Sequence, residues 1–345
     1  MSFPTRPVWL YRVNQGLHVA TGIASIPLLL AKLWIVYPRL FRWPAVRSIG
    51  HGLERASIAV FLAASLLQLF MGLLNTLQWY PWPFSFRETH FFLAWVIIGS
   101  LLVHIAVKLP LIAQHWRRAR SGAPVSASTA TTADGALTNP PAVTEPAGGW
   151  SRRGFFTAVG LTVATVTVTT VGQSFSPLSK LNLFAPRVPS EGPQGLAINR
   201  TATEAGVKDS ARSPDWRLEI AGPEPVTLTL EDLNAMPQFE ATLPISCVEG
   251  WSRNGSWGGV RVRDLLERVG APTGSSLRVI SLEQSGPFAQ TEMGPEFASD
   301  ELTLLALRLN GEVLHIEHGY PARIIAPARP GVLQTKWVRK LEVAA

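Results

Sequence analysis

Apolar residues fall into four long runs in the first half of the chain and into short alternating stretches in the second. Residues 13–31 are uncharged between Arg12 and Lys32, 56–86 between Arg55 and Arg87, 89–107 between Glu88 and Lys108, and 154–179 between Arg153 and Lys180. Each run is long enough to cross the hydrocarbon core of a bilayer as a helix, which takes about 20 residues. The first three lack a polar face, which argues against buried helices of a large soluble core. From Trp216 onward the pattern becomes globular. Residues 216–220, 238–246, 278–282, 303–309, 322–326 and 338–343 are expected as strands, 230–236 and 262–269 as short helices, and Asn310-Gly311 as a turn. The fold class expected is an α-helical membrane domain of three helices, a fourth membrane anchor and an α+β domain.

Between these halves the chain is rich in Ala, Thr, Ser, Pro and Gly, with almost no large apolar side chain. Such a stretch cannot bury enough surface to order itself and is expected to be a disordered linker. The domains are therefore expected at 1–118 (membrane), 119–150 (linker), 151–179 (anchor) and 195–345 (α+β). No internal repeat is visible.

Charge changes the picture next. A net charge of +7 raises nucleic acid as a partner, but the basic residues flank the apolar runs. Lys32, Arg39, Arg42, Arg47 and Arg55 follow the first run, and Lys108, Arg117, Arg118, Arg120, Arg152 and Arg153 follow the third. In the second connection Arg87 is offset by Glu88. By positive-inside reasoning the first and third connections are cytoplasmic. The N-terminus and everything after the fourth run then lie outside, although Arg6 and Arg12 oppose this. Trp79, Tyr80 and Trp82 fit an aromatic belt. The expected partner is membrane lipid, not nucleic acid. The expected location is the inner or plasma membrane, multi-pass, with the second half extracytoplasmic.

Histidine inside a membrane helix is costly and calls for a function. Of seven histidines, His18, His51, His90 and His104 lie in or beside the first three runs. His90 and His104 are fourteen positions apart, about 21 Å and about four turns, so they face a similar direction. This spacing and helix order resemble the di-haem b-type subunits that serve membrane dehydrogenases. That resemblance implies two haems b and exchange with quinone or quinol. Helix direction pairs His18 with His90 at the outer level and His51 with His104 at the inner level, with His115 as an alternative inner ligand. Arg47 and Arg55 are placed to meet haem propionates. The plainer reading is four histidines that hydrogen-bond between helices.

The chain has one cysteine, Cys247, in Leu243-Pro244-Ile245-Ser246-Cys247-Val248-Glu249-Gly250-Trp251-Ser252. A lone thiol excludes an internal disulfide and leaves a core thiol, a nucleophile or a metal ligand. It falls at the end of an apolar strand-like run, where side chains are presented to cofactors. On the local residues alone, a ligand and a core thiol remain equally open.

Ser246–Ser252, Trp257-Gly258-Gly259-Val260 and the helix at 262–270 resemble the molybdopterin domain of the sulfite oxidase superfamily, across roughly residues 199–343. The family includes sulfite oxidases and bacterial periplasmic methionine-sulfoxide reductases. The resemblance implies that Cys247 is the thiolate on molybdenum, a soft ligand for a soft redox centre. His318-Gly319-Tyr320-Pro321-Ala322-Arg323 and Lys336 match family segments that hold the pterin and its phosphate, for which fixed cations and backbone donors are suited. Asn199, Ser281 and Glu283 fall at further implied pterin contacts. Val248-Glu249-Gly250-Trp251-Ser252 replaces the Asn-Arg-Arg cluster of sulfite oxidases and is closer to the methionine-sulfoxide reductase branch. Arg329-Pro330-Gly331-Val332 stands in place of an aromatic-Gly pattern. No immunoglobulin-like dimerisation domain is expected after Val343.

These readings combine into a membrane-anchored molybdenum oxidoreductase. It would pass quinol electrons through b haems to an extracytoplasmic S-oxide or N-oxide, such as methionine sulfoxide, free or in protein. The alternatives are sulfite-type oxidation with electrons passing inward to quinone, and a non-catalytic haem-binding interaction protein. Ser151-Arg152-Arg153-Gly154-Phe155-Phe156 also resembles a twin-arginine export signal, embedded rather than N-terminal. Exchanging Arg152 and Arg153 together for Lys preserves every charge, so positive-inside topology is kept. A receptor-read signal fails under that exchange and a plain topological flank does not. Protease digestion of spheroplasts is expected to cut the region after Trp216 in the wild type and to spare it in the double-Lys variant. Equal cutting in both rejects the export signal.

Overall fold

The computed structural model describes residues 4–40, 43, 46, 48–77, 79–120, 151–171, 176–185, 187–286 and 289–344. Most of the expected linker, and Arg42 and Arg47, lie outside the described residues. Among the described residues, four helices are long and apolar enough to cross a membrane: α1 (Leu10–Leu40), α2 (Ile49–Thr76), α3 (Phe86–Arg120) and α4 (Arg152–Val171). Large apolar side chains along them are exposed, Leu30 and Phe92 among them, as a lipid-facing surface requires. The second apolar run reaches Phe86, but α2 stops at Thr76. Pro81 and Pro83 follow, and proline removes a helix donor and clashes with the preceding turn.

The chain divides into two compact units, one of Met1–Ile23, Asn75–Gln78 and Val166–Ala345, the other of Ala24–Leu74 and Trp79–Thr165. In the first unit lie ten strands: β1 (Leu218–Ala221), β2 (Val226–Leu228), β3 (Phe239–Ser246), β4 (Ser252–Arg261), β5 (Ser276–Ser281), β6 (Gln290–Met293), β7 (Leu304–Leu309), β8 (Glu312–Val313), β9 (Arg323–Ile325) and β10 (Val338–Ala344). They form two sheets. One has the order β2-β1-β10-β5-β6; the other has β3-β4-β7-β8, with β9 also on β7. Pairing is antiparallel except between β1 and β10.

Short helices α5 (Lys208–Arg212), α6 (Leu230–Ala235), α7 (Val262–Arg268) and α8 (Pro295–Ala298) punctuate the strands. Thr229 and Asp232 close α6 with a reciprocal capping box, which satisfies two otherwise orphaned donors. α7 buries Val262, Leu265 and Leu266 on one face, the i, i+3, i+4 stripe of an amphipathic helix. Those residues join Leu218, Ile220, Val279, Leu341 and Ile324 in the main core. That core therefore draws on both sheets. A second core, holding Cys247, Trp251 and Trp257, lies around β3, β4 and β7.

All six strand expectations and both helix expectations meet elements of that type. The longest strand, β4, was not foreseen. It contains Gly255, Gly258 and Gly259. In the fold they mark close packing: a Cβ on Gly259 would stand 2.1 Å from Leu305 O, and one on Gly255 2.8 Å from Leu309 Cδ1. A Cβ on Gly258 meets nothing nearer than 3.5 Å. Gly259→Ala is therefore expected to destabilise the domain by about 3 kcal/mol, the upper range for overpacking, and Gly258→Ala by much less. Urea denaturation followed by tryptophan fluorescence compares the two; equal midpoints reject the packing account.

Candidate cofactor site

Cys247 opens a five-residue loop between β3 and β4. The strands stay in register up to the Ser246–Ser252 pair, whose hydroxyls lie 3.0 Å apart. Inside the loop the Cys247 N–H donates to Trp251 O at 2.9 Å and the Gly250 N–H to Cys247 O at 3.1 Å. Gly250 has φ 96°, a conformation that glycine adopts without a Cβ clash. Gly331 packs on the strand end from the other side; a Cβ there would be 2.8 Å from Ser246 O. The thiol is buried. Burial, with Glu249 adding to it, pushes the Cys247 thiol up to about 12.

Glu249, also buried, accepts from Trp251 Nε1 at 2.7 Å and from Arg187 Nε at 3.0 Å. Arg187 also reaches Asn199 O at 3.5 Å. The next residue, Arg200, gives its carbonyl to Lys336 Nζ at 2.9 Å and its guanidinium to the Glu283 carboxylate. Ser281 Oγ donates to Lys336 O at 2.8 Å and accepts from the Glu283 N–H at 3.1 Å. Lys336 Nζ makes a second bond, to Glu317 O at 2.8 Å.

Arg323 begins β9, and its guanidinium donates to His318 O at 3.0 Å and to Gln334 O at 3.1 Å. It lies 5.0 Å from the centroid of the Trp257 ring. Gly319, at φ 111°, lets the turn after His318 close onto Lys336; a Cβ there would stand 3.1 Å from Lys336 Cα. His318 Nε2 lies 2.7 Å from Pro193 O. A carbonyl can only accept, so Nε2 carries the proton and Nδ1 is left as an acceptor. Burial is the main cause that drives the His318 pKa down to about 3, so the ring is neutral.

The structure thus links Cys247, Asn199, Ser281, Glu283, His318, Arg323 and Lys336 through a continuous set of short contacts. It does so where the two sheets are laced together: Ile324 N–H to Thr335 O, Trp337 N–H to Gly319 O and Val338 N–H to Ala322 O, at 2.9, 3.2 and 2.8 Å. Two participants were missed as functional, Arg187 and Glu249. Arg187 stands in an irregular segment, and only a partner distant in sequence reveals its role. Arg329 turns inward, donating to Leu333 O and Glu292 O, so its guanidinium is spent on the fold.

Arg323 and Lys336 are held by carbonyl oxygens, and among the described residues neither forms an ion pair with Asp or Glu. Arg323 Nε is buried with no hydrogen-bond partner. Burial lowers Arg323 to about 9 and, with Arg323 adding to it, Lys336 to about 7. A phosphate-bearing pterin fits these observations, since its dianion would supply the missing countercharge.

In the other unit, His51 and His104 line one cavity of about 560 Å³ together with Lys32, Glu54, Arg55 and Lys108. Glu54 pairs with Lys108, and His104 Nδ1 is buried without a hydrogen-bond partner. His90 lies on α3 beside Phe86, ring centroids 4.9 Å apart, with its Cε1 3.6 Å from a Cβ built on Gly72. His18 lies on α1 in the first unit. The side chain of His115 is outside the described residues.

The first unit holds one buried thiol on the same contact network as a cationic, carbonyl-lined seam. Residues 204–345 match the family model described as "Oxidoreductase molybdopterin binding domain". This part of the chain is a molybdopterin-binding oxidoreductase domain of the superfamily that holds sulfite oxidases and methionine-sulfoxide reductases. Asn199 lies ahead of the matched residues. The uncharacterized oxidoreductase YuiH of Bacillus subtilis (strain 168) is 33% identical over 37% of this chain and 64% of its own length. The sulfite oxidase of Arabidopsis thaliana is 27% identical over 35% of this chain and 39% of its own length. The putative protein-methionine-sulfoxide reductase subunit YedZ1 of Azospira oryzae is 29% identical over 39% of this chain and 52% of its own length. In each case the chain spans less than two thirds of the relative.

The Lys336 ammonium gives the cofactor-free protein a pH signature. Its folded pKa, about 7, lies below the ordinary lysine value of 10.5. The unfolded chain therefore binds the extra proton between these values, and stability rises with pH across that window. Below pH 8.5 neither the Cys247 nor the Arg323 ionisation contributes appreciably. From pH 7 to 8.5 the molybdenum-free protein is expected to gain roughly 1–2 kcal/mol by this linkage, and Lys336→Met to lose that gain. Urea melts at the two pH values measure it. The same slope in the variant overturns the assignment.

Proposed function

We propose that the chain is a membrane-anchored molybdopterin-dependent oxidoreductase that carries electrons from quinol, through b haems, to an S-oxide or N-oxide such as methionine sulfoxide. The observation that carries the reading is the buried thiol of Cys247 on the same contact network as two buried cations without a carboxylate partner. Cys247 would ligate molybdenum, releasing its proton as it binds. Arg323 and Lys336 would hold the phosphate, and the neutral His318 ring, Asn199 and Ser281 the pterin. Glu283 would act through Arg200, which it pairs with. When bound, the cofactor supplies two-electron redox chemistry, by which a sulfoxide, two electrons and two protons give a thioether and water.

The protein's part is position and electrostatics. Arg187 and Trp251 fix Glu249, and the loop bonds fix Cys247. After Cys247 the loop carries the buried Glu249, paired with Arg187, in place of a cluster of cations, and without that cluster it offers less to the sulfite anion than to a neutral sulfoxide. Both chemistries appear in the names of the relatives, so the substrate itself decides between them.

His51 and His104 would ligate the inner haem. Lys32 and Arg55, which line the same cavity, offer cations for its propionates, and the unpartnered His104 nitrogen fits a ligand role. His18 and His90 would hold the outer haem. With the basic connections inside, the molybdopterin domain stands on the extracytoplasmic side of the plasma or inner membrane, exported by the twin-arginine route.

The test uses membranes containing the full chain, with haem b followed by its absorbance. Reduced haem is expected to reoxidise when methionine sulfoxide is added. Cys247→Ser should retain its haem and abolish reoxidation, and His104→Leu should lose one of two haem components. Reduction of oxidised haem by sulfite would reverse the direction of flow. An unchanged reoxidation rate in Cys247→Ser would remove the molybdenum assignment.

A further inference from the structure

Exposed apolar side chains cluster directly after α4. Leu181 is 52% exposed, Leu183 77%, Phe184 71% and Val188 49%. Among the described residues from 189 to 344, Val313, at 66%, is the one large apolar side chain comparably open. Among the described residues, the surface of the molybdopterin domain is thus otherwise free of such groups, and contiguous exposed apolar surface marks an interaction site.

The structure also indicates what covers it. The Phe184 N–H donates to Thr169 O, in the last turn of α4, at 2.9 Å. The apolar segment therefore runs beside the end of a 20-residue helix, roughly 30 Å long and just enough to cross the hydrocarbon core. Its exposed groups continue the lipid-facing surface of that helix. Lys180 is exposed, and a basic side chain at this level reaches the headgroups while its stem stays apolar. A second copy of the chain or another protein would need a patch separate from the membrane span.

We propose that Leu181, Leu183, Phe184 and Val188 form a membrane foot, with Leu183 and Phe184 inserted at the boundary between headgroups and acyl chains of the bilayer. The inference goes beyond the proposed reaction and depends on no cofactor. The foot is joined to the cofactor loop: Arg187, between Phe184 and Val188, holds Glu249 and Asn199 O. It therefore sets the height of the Cys247 loop above the lipid surface.

The lone native thiol makes the test clean, because Cys247 is 1% exposed and a thiol label reports the introduced site. Leu183→Cys, Phe184→Cys and, as an aqueous reference, Glu191→Cys are made in the full chain, spin-labelled and reconstituted in vesicles of phosphatidylcholine and phosphatidylglycerol. Wild type treated identically gives the blank. Collision rates with oxygen, which partitions into lipid, and with a water-soluble nickel chelate are measured by electron paramagnetic resonance. The oxygen-to-nickel ratio at 183 and 184 is expected to exceed that at 191 several-fold. A ratio equal to that at 191 places the segment in water and overturns the proposal. Low accessibility to both agents places it against protein and overturns it equally. Two labelled positions keep the result readable if one variant fails to insert.

Discussion

Arg323 and Lys336 carry positive charge into the place where the two sheets meet, and among the described residues each is held there by carbonyl dipoles and a neighbouring Trp ring, with no carboxylate partner. An unpaired ion away from water costs several kcal/mol even after the surroundings relax. A fold that keeps two of them side by side must gain elsewhere. The gain comes from two hydrophobic cores on either side of the seam, and from a backbone lacing that brings the carbonyls into position whether or not a ligand is present. The same arrangement explains Gly319. Any side chain there would push Lys336 away from the turn that holds Arg323, so the backbone closes with a residue that has none.

Cys247 answers to the same constraint from the opposite charge. Burial holds its thiol protonated, up to about 12, while two cations on the same network lack a counter-ion. A ligand that is both a soft metal and an anion relieves both conditions together. In the proposed reading the metal would displace the thiol proton, and the phosphate would meet the cations. Glu249 adds a carboxylate to this neighbourhood, and Arg187 neutralises it across 3.0 Å. The site is thereby built as a balance of charges, and removing one member leaves another buried and unpaired.

Much of this was legible in the sequence because local patterns carry it. Strand alternation, the amphipathic stripe of α7 and the position of Cys247 at a strand end are all short-range properties. The motif around His318 and Arg323 was legible only through family resemblance, since an isolated Arg at a strand start has no local signature. What escaped was long-range. β4 was hidden because its glycines answer to Leu305 and Leu309 on a neighbouring strand, contacts that local spacing does not record. Arg187 was hidden for the same reason, since its partner lies 62 positions away. His51 and His104 share a cavity that helix direction anticipates, while the cations around it depend on how three helices pack.

Topology follows from contacts within the first unit. Arg6 pairs with Asp300 at 2.8 and 3.1 Å, Gln15 donates to Val248 O at 3.3 Å, and Val8 packs against the core that holds Cys247. Residues before α1 and in its first turns therefore touch the domain after α4, and any arrangement in which the helices cross a bilayer must leave both on one side of it. An even number of crossings returns a chain to the side on which it began, and an odd number does not. Four crossings would satisfy the contacts; three would separate Arg6 from Asp300 by a bilayer. The contacts also account for a misfit in the charge pattern. Arg6 counts against an outer N-terminus when basic residues are simply tallied, but an arginine bound in two places by a carboxylate on the domain surface no longer presents a free positive charge to the membrane. With Arg6 compensated in this way, the basic connections after the first and third spans dominate the remaining asymmetry. The contacts put the two segments on one side of any bilayer the helices cross, and the charge pattern is the ground for proposing that this side is the outer one.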